Sequence, residues 1–166
     1  MKCRHDERIL QEPFDVYLLD TSNYQLVSVI PPCVRHSTKC IGSVKDKPDT
    51  DSKFKLYLLS NGKVALQASN GKYLSRIAYG NNAFDNSNYV QPIKDTADYF
   101  SQFEFEYAAE EGPFENLGTI VFKADNGRYV APSGSTIIKP LANDPYKFLL
   151  MPARITAKKQ VIHGGW

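Results

Sequence analysis

The stretch KVALQASNGKYLS, residues 63 to 75, sets the pattern for this chain of 166 residues. Its first half alternates apolar and polar side chains, which is typical of a half-buried β-strand. Asn70 and Gly71 follow, and these residue types suit a tight turn that needs positive φ. Tyr73 and an aliphatic residue then open a second run. The stretch therefore predicts two antiparallel strands joined by a short turn.

The same pattern recurs twice in the chain. A close copy, TIVFKADNGRYVA, runs from residue 119 to residue 131, and a looser one, VYLLDTSNYQLVSV, begins at residue 16. The looser copy lacks the turn glycine and contains one additional residue, with Leu26 and Val27 in the places of Tyr73 and Leu74. We interpret the shared residues as structural turn and barrel positions. In the two close copies they are Asn70, Gly71, Tyr73, Asn126, Gly127 and Tyr129.

A second motif also occurs three times, as SKFKLYLLS at 52–60, SQFEFEYAA at 101–109 and YKFLLMPA at 146–153. Phe54, Phe103 and Phe148 hold the same position in it. The stretches VKDKPDTD, IKDTADYF and IKPLANDP precede the three motifs, and we align them with one another. The repeats predict one domain over residues 14–153, with units of approximately 14–60, 61–109 and 117–153. Residues 1–13 form an N-terminal extension and residues 154–166 a C-terminal tail.

The three units indicate an all-β fold. Each unit has room for about four short strands, which gives about twelve in total, and no amphipathic helix of three turns can be found. A unit of this size cannot bury its own apolar face, so three units are expected to close on one another. The β-trefoil, a six-stranded barrel capped by three hairpins with pseudo-three-fold symmetry, fits this count. A propeller needs more blades, and an immunoglobulin sandwich has no internal three-fold repeat.

The motifs GKVALQASNGKYLS and IVFKADNGRYVAP resemble the repeat signature of the fascin-like β-trefoil proteins, the family that includes fascin and the hisactophilins. The resemblance implies a non-enzymatic module that binds actin or another protein. Two features depart from that family: the chain has only three histidines, and it has a single trefoil where fascin has several. The motif NGKYL is also similar to amaranthin-like agglutinins, so a lectin-like, carbohydrate-binding role stays open. The Gln-x-Trp motif of ricin-type lectins is absent, since the one tryptophan is Trp166.

Composition narrows the range of partners. The formal net charge is +2 and the basic residues are scattered, which argues against a nucleic acid. No segment is long and apolar enough to be a transmembrane span, and the N-terminus does not resemble a secretory signal. We expect a cytoplasmic protein that is a monomer or weak dimer, binds a protein or a glycan, and uses no cofactor and no metal.

The best candidate for a binding site is RIAYGNNAFDNSNYVQP, residues 76 to 92, which is an insertion relative to the other units. Long loops on rigid β scaffolds often carry binding residues. Aromatic rings stack on sugar faces, and Asn and Asp side chains bond hydroxyl groups. A hydrophilic loop without a ligand is the alternative. The candidate ligand-binding residues are Tyr79, Asn81, Asn82, Asp85, Asn86, Asn88 and Tyr89.

The cysteines allow three interpretations. CVRHSTKC places Cys33, His36 and Cys40 close together, and Cys3 and His5 stand near the N-terminus. Thiolates and imidazoles bind zinc, but this spacing matches no common zinc finger. The short loop can instead be closed by a disulfide between Cys33 and Cys40, or all three thiols can be unpaired.

No residue set in the sequence predicts an enzyme. Glu104 and Glu106 lie on one face of the same predicted strand, whereas glycoside hydrolysis needs two carboxylates that face each other across a cleft. We interpret them as a solvated strand face. A protease inhibitor that uses its loops to block an active site is a further possibility, and the acidic loop AAEEGPFENLGT with Phe114 is a second candidate contact surface for a protein.

Overall fold

The computed structural model describes residues 12–34, 38–108 and 118–153, and twelve β-strands lie within these ranges. No α-helical element occurs in them, and two short 3₁₀ turns, Thr50–Ser52 and Tyr99–Ser101, precede β4 and β8. The prediction of an all-β chain with about twelve strands is confirmed. The strands are β1 (Phe14–Asp20), β2 (Leu26–Ile30), β3 (Cys40–Lys45), β4 (Phe54–Leu58), β5 (Val64–Gln67), β6 (Tyr73–Ala78), β7 (Asn88–Lys94), β8 (Glu104–Ala108), β9 (Thr119–Lys123), β10 (Tyr129–Pro132), β11 (Ile138–Ala142) and β12 (Phe148–Pro152).

The strands form one antiparallel sheet. β1 lies between β12 and β4, β4 pairs with β5, and β9 pairs with both β8 and β12. Three hairpins, β2–β3, β6–β7 and β10–β11, extend from these strands. An isolated bridge joins Val64 to Phe103 through two backbone hydrogen bonds of 2.9 Å.

The three copies of the repeated motif fold into turns with the same backbone hydrogen bonds. In each turn a residue at the end of the first strand, or directly after it, donates its N–H to the carbonyl of the residue that precedes the second strand. The three N···O distances are 2.9 Å for Asp20–Gln25, 2.8 Å for Ala68–Lys72 and 2.9 Å for Ala124–Arg128. Gly71 and Gly127 have φ of 83° and 79°, and Tyr24 occupies the equivalent place with φ of 58°. The first turn thus keeps the left-handed conformation without a glycine.

An asparagine holds each of these turns to a neighbouring strand. The Nδ2 groups of Asn23, Asn70 and Asn126 donate to the carbonyls of Ser43, Pro92 and Pro140 at 3.3, 3.1 and 3.0 Å. Each Oδ1 also accepts the N–H of the residue two positions later, at 2.9 or 3.0 Å. The repeated asparagine therefore satisfies backbone groups that would otherwise lack a partner where the turn leaves the sheet.

The apolar core is formed by the inward-facing side chains of the sheet strands and of the three hairpins. Phe54, Phe103 and Phe148, which share one position in the repeats, are exposed by only 0–2%. Burying a phenylalanine side chain stabilises a fold by about 2–3 kcal/mol, so these rings are a large part of the driving force. The tyrosines predicted as barrel residues, Tyr73 and Tyr129, are half-buried and do not belong to the main apolar cluster of the described residues.

The alignment of the third unit requires a correction. The sequence aligns IKPLANDP with VKDKPDTD and IKDTADYF, which places Lys139 with Lys45 and Lys94. In the structure Lys45 pairs with Leu26 and Lys94 pairs with Tyr73, but the residue that pairs with Tyr129 is Ala142. The connection to β12 is shorter in the third unit, and this shifts Lys139 to a different site on its hairpin.

Among the described residues, no helix has the length and apolar character that a membrane span requires.

Candidate functional site

The candidate binding segment forms a compact loop between β6 and β7, which we call the polar loop (residues 79–87). Its two ends are joined by a hydrogen bond from the Tyr79 N–H to the Ser87 carbonyl at 2.9 Å. Inside it, Asn82 Oδ1 accepts the Phe84 N–H at 2.8 Å and Asp85 Oδ1 accepts the Ser87 N–H at 2.9 Å. These side-chain turns are the reason that a segment rich in Asn and Asp adopts a defined shape here.

Asn88 anchors the polar loop from below. Its side chain is fully buried, and Nδ2 donates to the carbonyls of Asn82 and Asp85 at 2.8 and 3.0 Å. Its Oδ1 accepts a hydrogen bond from Arg76 Nη1 at 2.6 Å. Because it has no exposed surface, Asn88 holds the loop in place and does not itself face a ligand.

A buried ion pair joins β6, the strand that leads into the polar loop, to the third unit. Arg76 donates Nε and Nη2 to the two oxygens of Asp125 at 2.7 and 2.8 Å, and the two side chains are exposed by 9% and 5%. The carboxylate of Asp125 raises the pKa of Arg76 above its ordinary value. Next to the ion pair, Asn126 Nδ2 donates to the Ala83 carbonyl at 2.7 Å. The repeated turn of the third unit thus supports the unique loop of the second.

The structure brings Tyr79 and Tyr89 together. Their ring centroids are 6.0 Å apart in an edge-to-face arrangement. Tyr79 is 46% exposed, while its hydroxyl donates to Oε1 of the fully buried Gln91 at 2.6 Å. Gln91 in turn lies 3.4 Å from the Thr38 carbonyl and 3.5 Å from Cys40 Sγ. Tyr79 therefore presents a ring to solvent from a fixed position.

The remaining candidate residues lie at the surface. Asn81, Asn82, Asp85 and Asn86 are exposed. Hydrogen bonds from the Ser87 hydroxyl and amide lower the pKa of Asp85, so its carboxylate is charged at neutral pH. The polar loop thus offers amide groups, one carboxylate and two aromatic rings, those of Tyr79 and Phe84, within a short segment.

Three residues of the site were missed by the sequence reasoning. Phe84 lies in the polar loop itself and is 52% exposed. Arg128 places its guanidinium 5.1 Å from the centre of the Phe84 ring, and Lys139 places its ammonium 4.4 Å from the centre of the Tyr89 ring. Phe84 was visible in the quoted segment, whereas the two basic residues come from distant positions that no local pattern connects to the loop.

The cysteine loop is closed by a disulfide between Cys33 and Cys40, whose Cα atoms are 6.0 Å apart. This decides among the three interpretations of that segment. In the described residues, no group of three or more His, Cys, Asp and Glu side chains is arranged to hold a metal ion. Cys3, His5 and His36 lie outside the described residues, as does Phe114 of the acidic loop.

Glu104 and Glu106 are exposed on β8, and Glu104 lies 4.0 Å from Lys123 on the neighbouring strand. A polar groove of about 300 Å³ lies elsewhere, between β1, β4 and β5. Lys53 and Lys55 line it, and Lys55 is paired with Asp15 at 3.2 Å. No aromatic side chain lines this groove, so the polar loop has the more distinctive chemistry.

The fold is similar to that of several solved structures, although no family model and no curated protein sequence matches the chain. A Caenorhabditis elegans protein of unknown function has a TM-score of 0.64 and 9% identity over 89% of this chain and 98% of that one. Lysenin in complex with phosphocholine has a TM-score of 0.61 and 12% identity over 89% of this chain and 47% of lysenin. A salivary protein from Culex, of the cysteine- and tryptophan-rich family, has a TM-score of 0.54 and 12% identity over 90% and 97%.

At these identities the similarity concerns the fold alone. This chain spans about half the length of lysenin, whose pore has also been solved and gives a TM-score of 0.61. None of these structures is described as a fascin or an actin-binding protein, so the resemblance to fascin-like proteins rests on the sequence motifs.

Proposed function

We propose that this protein is a non-enzymatic, lectin-like binding module that recognises a glycan through the polar loop and the adjacent Tyr79–Tyr89 pair. The observation that carries the proposal is Tyr79, a residue that is 46% exposed while its hydroxyl is held by the buried Gln91. A ring fixed in this way stacks on a sugar face with little loss of conformational entropy.

The polar part of the site supports the same function. The exposed amides of Asn81, Asn82 and Asn86 supply both donors and acceptors, which sugar hydroxyl groups need. The loop that carries them is braced by Asn88 and by the turn at Asn126, so the groups are presented in a constant arrangement. A preorganised polar surface binds small ligands better than a flexible one.

The proposed scaffold is a β-trefoil. Six strands, β1, β4, β5, β8, β9 and β12, each have neighbours on both sides once the bridge between Val64 and Phe103 is included. The remaining strands form three hairpins, as a cap of three equivalent hairpins requires. The three equivalent asparagine turns support the pseudo-three-fold arrangement.

The comparison with lysenin supports a binding role of this kind, because that structure was solved with a small polar ligand, phosphocholine. The Cys33–Cys40 disulfide supports a place of action in an oxidising compartment, where such bonds persist, over the cytoplasmic one expected from the sequence.

A glycan array with purified protein tests the proposal. We expect binding to a defined group of glycans, and Tyr79→Ala should weaken it by at least about tenfold, as truncating an aromatic anchor does. Tyr79→Phe keeps the ring but loses the hydrogen bond to Gln91 that fixes it, so its affinity should lie between those of the unmodified protein and Tyr79→Ala. Tyr24→Ala is the matched control, because Tyr24 is 74% exposed in the β1–β2 turn.

A blank array, or equal losses in Tyr79→Ala and Tyr24→Ala, would contradict the glycan proposal. Co-sedimentation with actin filaments, or inhibition across a panel of proteases, would then identify the other functions that the sequence allows.

A further inference from the structure

Two basic side chains contact the polar loop and its neighbouring tyrosine from the third unit. Lys139 on β11 places its Nζ 3.4 Å from the Asn86 carbonyl and 4.4 Å from the centre of the Tyr89 ring. Arg128, in the turn before β10, lies 5.1 Å from the centre of the Phe84 ring. Neither side chain takes part in an ion pair with a described residue.

The corresponding basic residue of the second unit is neutralised. Lys72 holds the position of Arg128 in the β5–β6 turn, and its ammonium is paired with Asp95. Arg128 instead donates Nη1 to the uncharged Asn143 side chain at 2.6 Å. Of these two equivalent residues, the one that contacts the polar loop therefore has no ionic partner among the described residues.

The position of Lys139 on its hairpin is also distinctive. It pairs with Ala131 in β10, and the equivalent positions in the other two hairpins hold Gly42 opposite Ser28 and Gln91 opposite Ser75. Neither of those residues is charged. Of the three equivalent hairpin positions, only the one next to Tyr89 and the polar loop therefore holds a lysine.

The charges next to the loop leave an excess of positive charge. Arg76 and Asp125 neutralise each other in their buried pair. Asp85 carries the one carboxylate of the polar loop, and its Oδ1 accepts hydrogen bonds from Ser87 N–H and Oγ. Lys139 and Arg128 together carry two positive charges against this one negative charge. The Lys139 ammonium has three N–H donors, and one of them donates to the Asn86 carbonyl.

From this arrangement we infer that the glycan bound by the polar loop is acidic: a sugar that carries a carboxylate or a sulfate group. Lys139 and Arg128 contact the anionic group, while Tyr79 and the loop amides contact the sugar. A charge-assisted hydrogen bond to an anion is stronger than a neutral one, so these contacts provide specificity for acidic over neutral sugars. The inference rests on the proposed glycan-binding function of the same loop.

Calorimetric titration with matched sugars tests the inferred specificity for acidic glycans. Lactose, 3′-sialyllactose and lactose 3′-sulfate share a core and differ in the presence and type of the anion. We expect the two acidic sugars to bind at least about tenfold more tightly than lactose. Stronger binding of one acidic sugar over the other identifies the anionic group as carboxylate or sulfate.

Two variants sharpen the test. Lys139→Gln and Arg128→Gln should each reduce the affinity for the acidic sugar by about tenfold and reduce the affinity for lactose by a much smaller factor. Lys72→Gln, at the equivalent turn position, is the control and should change neither affinity. Raising the salt concentration should weaken the binding of the acidic sugar more than the binding of lactose.

The failures of the two proposals are distinguishable. Equal affinity for lactose and its acidic derivatives, or loss of lactose binding in Lys139→Gln, would overturn the acidic specificity while the glycan-binding function stands. If none of the three sugars binds and the glycan array is blank for neutral and acidic sugars alike, both proposals fall together.

Discussion

Two neighbouring regions of the molecule differ in how much of their asparagine is committed to the backbone. In the turn at Asn126 the side chain is fully committed, with Nδ2 donating to Ala83 and Pro140 and Oδ1 accepting from Arg128. In the polar loop, Asn82 accepts one backbone N–H, and Asn81 and Asn86 are exposed to solvent. The turn is one of three with the same asparagine contact, and the loop occurs once. Repetition in this chain therefore marks scaffold, and the unrepeated segment is the place to look for binding.

The two regions are nevertheless coupled through contacts that cross between units. Arg76 and Asp125 link the strand that leads into the loop with the turn of the third unit, and Asn126 bonds to the loop backbone. Substitutions in the turn should therefore affect the loop, whereas equivalent substitutions in the other turns should not. The predictions below test that difference, in order of decreasing effect.

Asp125→Ala should have the largest effect. It removes both hydrogen bonds to Arg76 and leaves a guanidinium that is only 9% exposed without its carboxylate. Breaking a buried pair in this way costs about 3–5 kcal/mol, and we expect urea denaturation to show a loss of about 3 kcal/mol in the free energy of unfolding.

Asp95→Ala is the matched control for this change. Asp95 is the partner of Lys72 and its side chain is 80% exposed, so its loss should leave the free energy of unfolding nearly unchanged. Equal destabilisation by the two variants would show that the buried link between the units has no special importance.

Asn126→Ala and Asn70→Ala should differ in where they act. Asn126 makes two donor contacts and Asn70 makes one, so we expect losses of about 2 and about 1 kcal/mol respectively. Hydrogen exchange gives the sharper measurement. The Tyr79 amide, which closes the polar loop, should exchange faster in Asn126→Ala and at an unchanged rate in Asn70→Ala. Faster exchange in both variants would mean that the loop depends on the whole fold and not on its neighbouring turn.

Much of the scaffold could be predicted from the sequence because its signals are local. Alternation in KVALQ and the Asn-Gly pairs locate strands and turns, and the spacing of Phe54, Phe103 and Phe148 identifies the repeats. The tertiary contacts could not be predicted in this way, because they join residues that are far apart in the chain. Arg76 with Asp125 and Lys139 with Tyr89 are 49 and 50 positions apart in the chain, and the shorter third unit moves Lys139 out of the place that its sequence context suggests.

The candidate site was predictable in composition but not in the role of each residue. Asn88 looks like its neighbours in the sequence, yet it is fully buried because it begins β7 and points into the base of the loop. Phe84 is an exposed aromatic residue that a search for tyrosine and asparagine overlooks. Residue type alone does not separate a loop anchor from a ligand contact; burial separates them.

The smallest predicted effect concerns the turn that lost its glycine. Tyr24 has φ of 58°, in the left-handed region where a side chain costs about 1–2 kcal/mol, while Gly71 and Gly127 fill the equivalent places without that cost. Tyr24→Gly should therefore stabilise the protein, by about 0.5 kcal/mol after the greater flexibility of glycine in the unfolded chain is allowed for. Tyr24→Ala removes the ring and keeps the strain, so it should not stabilise. Thermal unfolding of the two variants separates these outcomes, and a lower melting temperature for Tyr24→Gly than for Tyr24→Ala would mean that the Tyr24 turn is not equivalent to the other two.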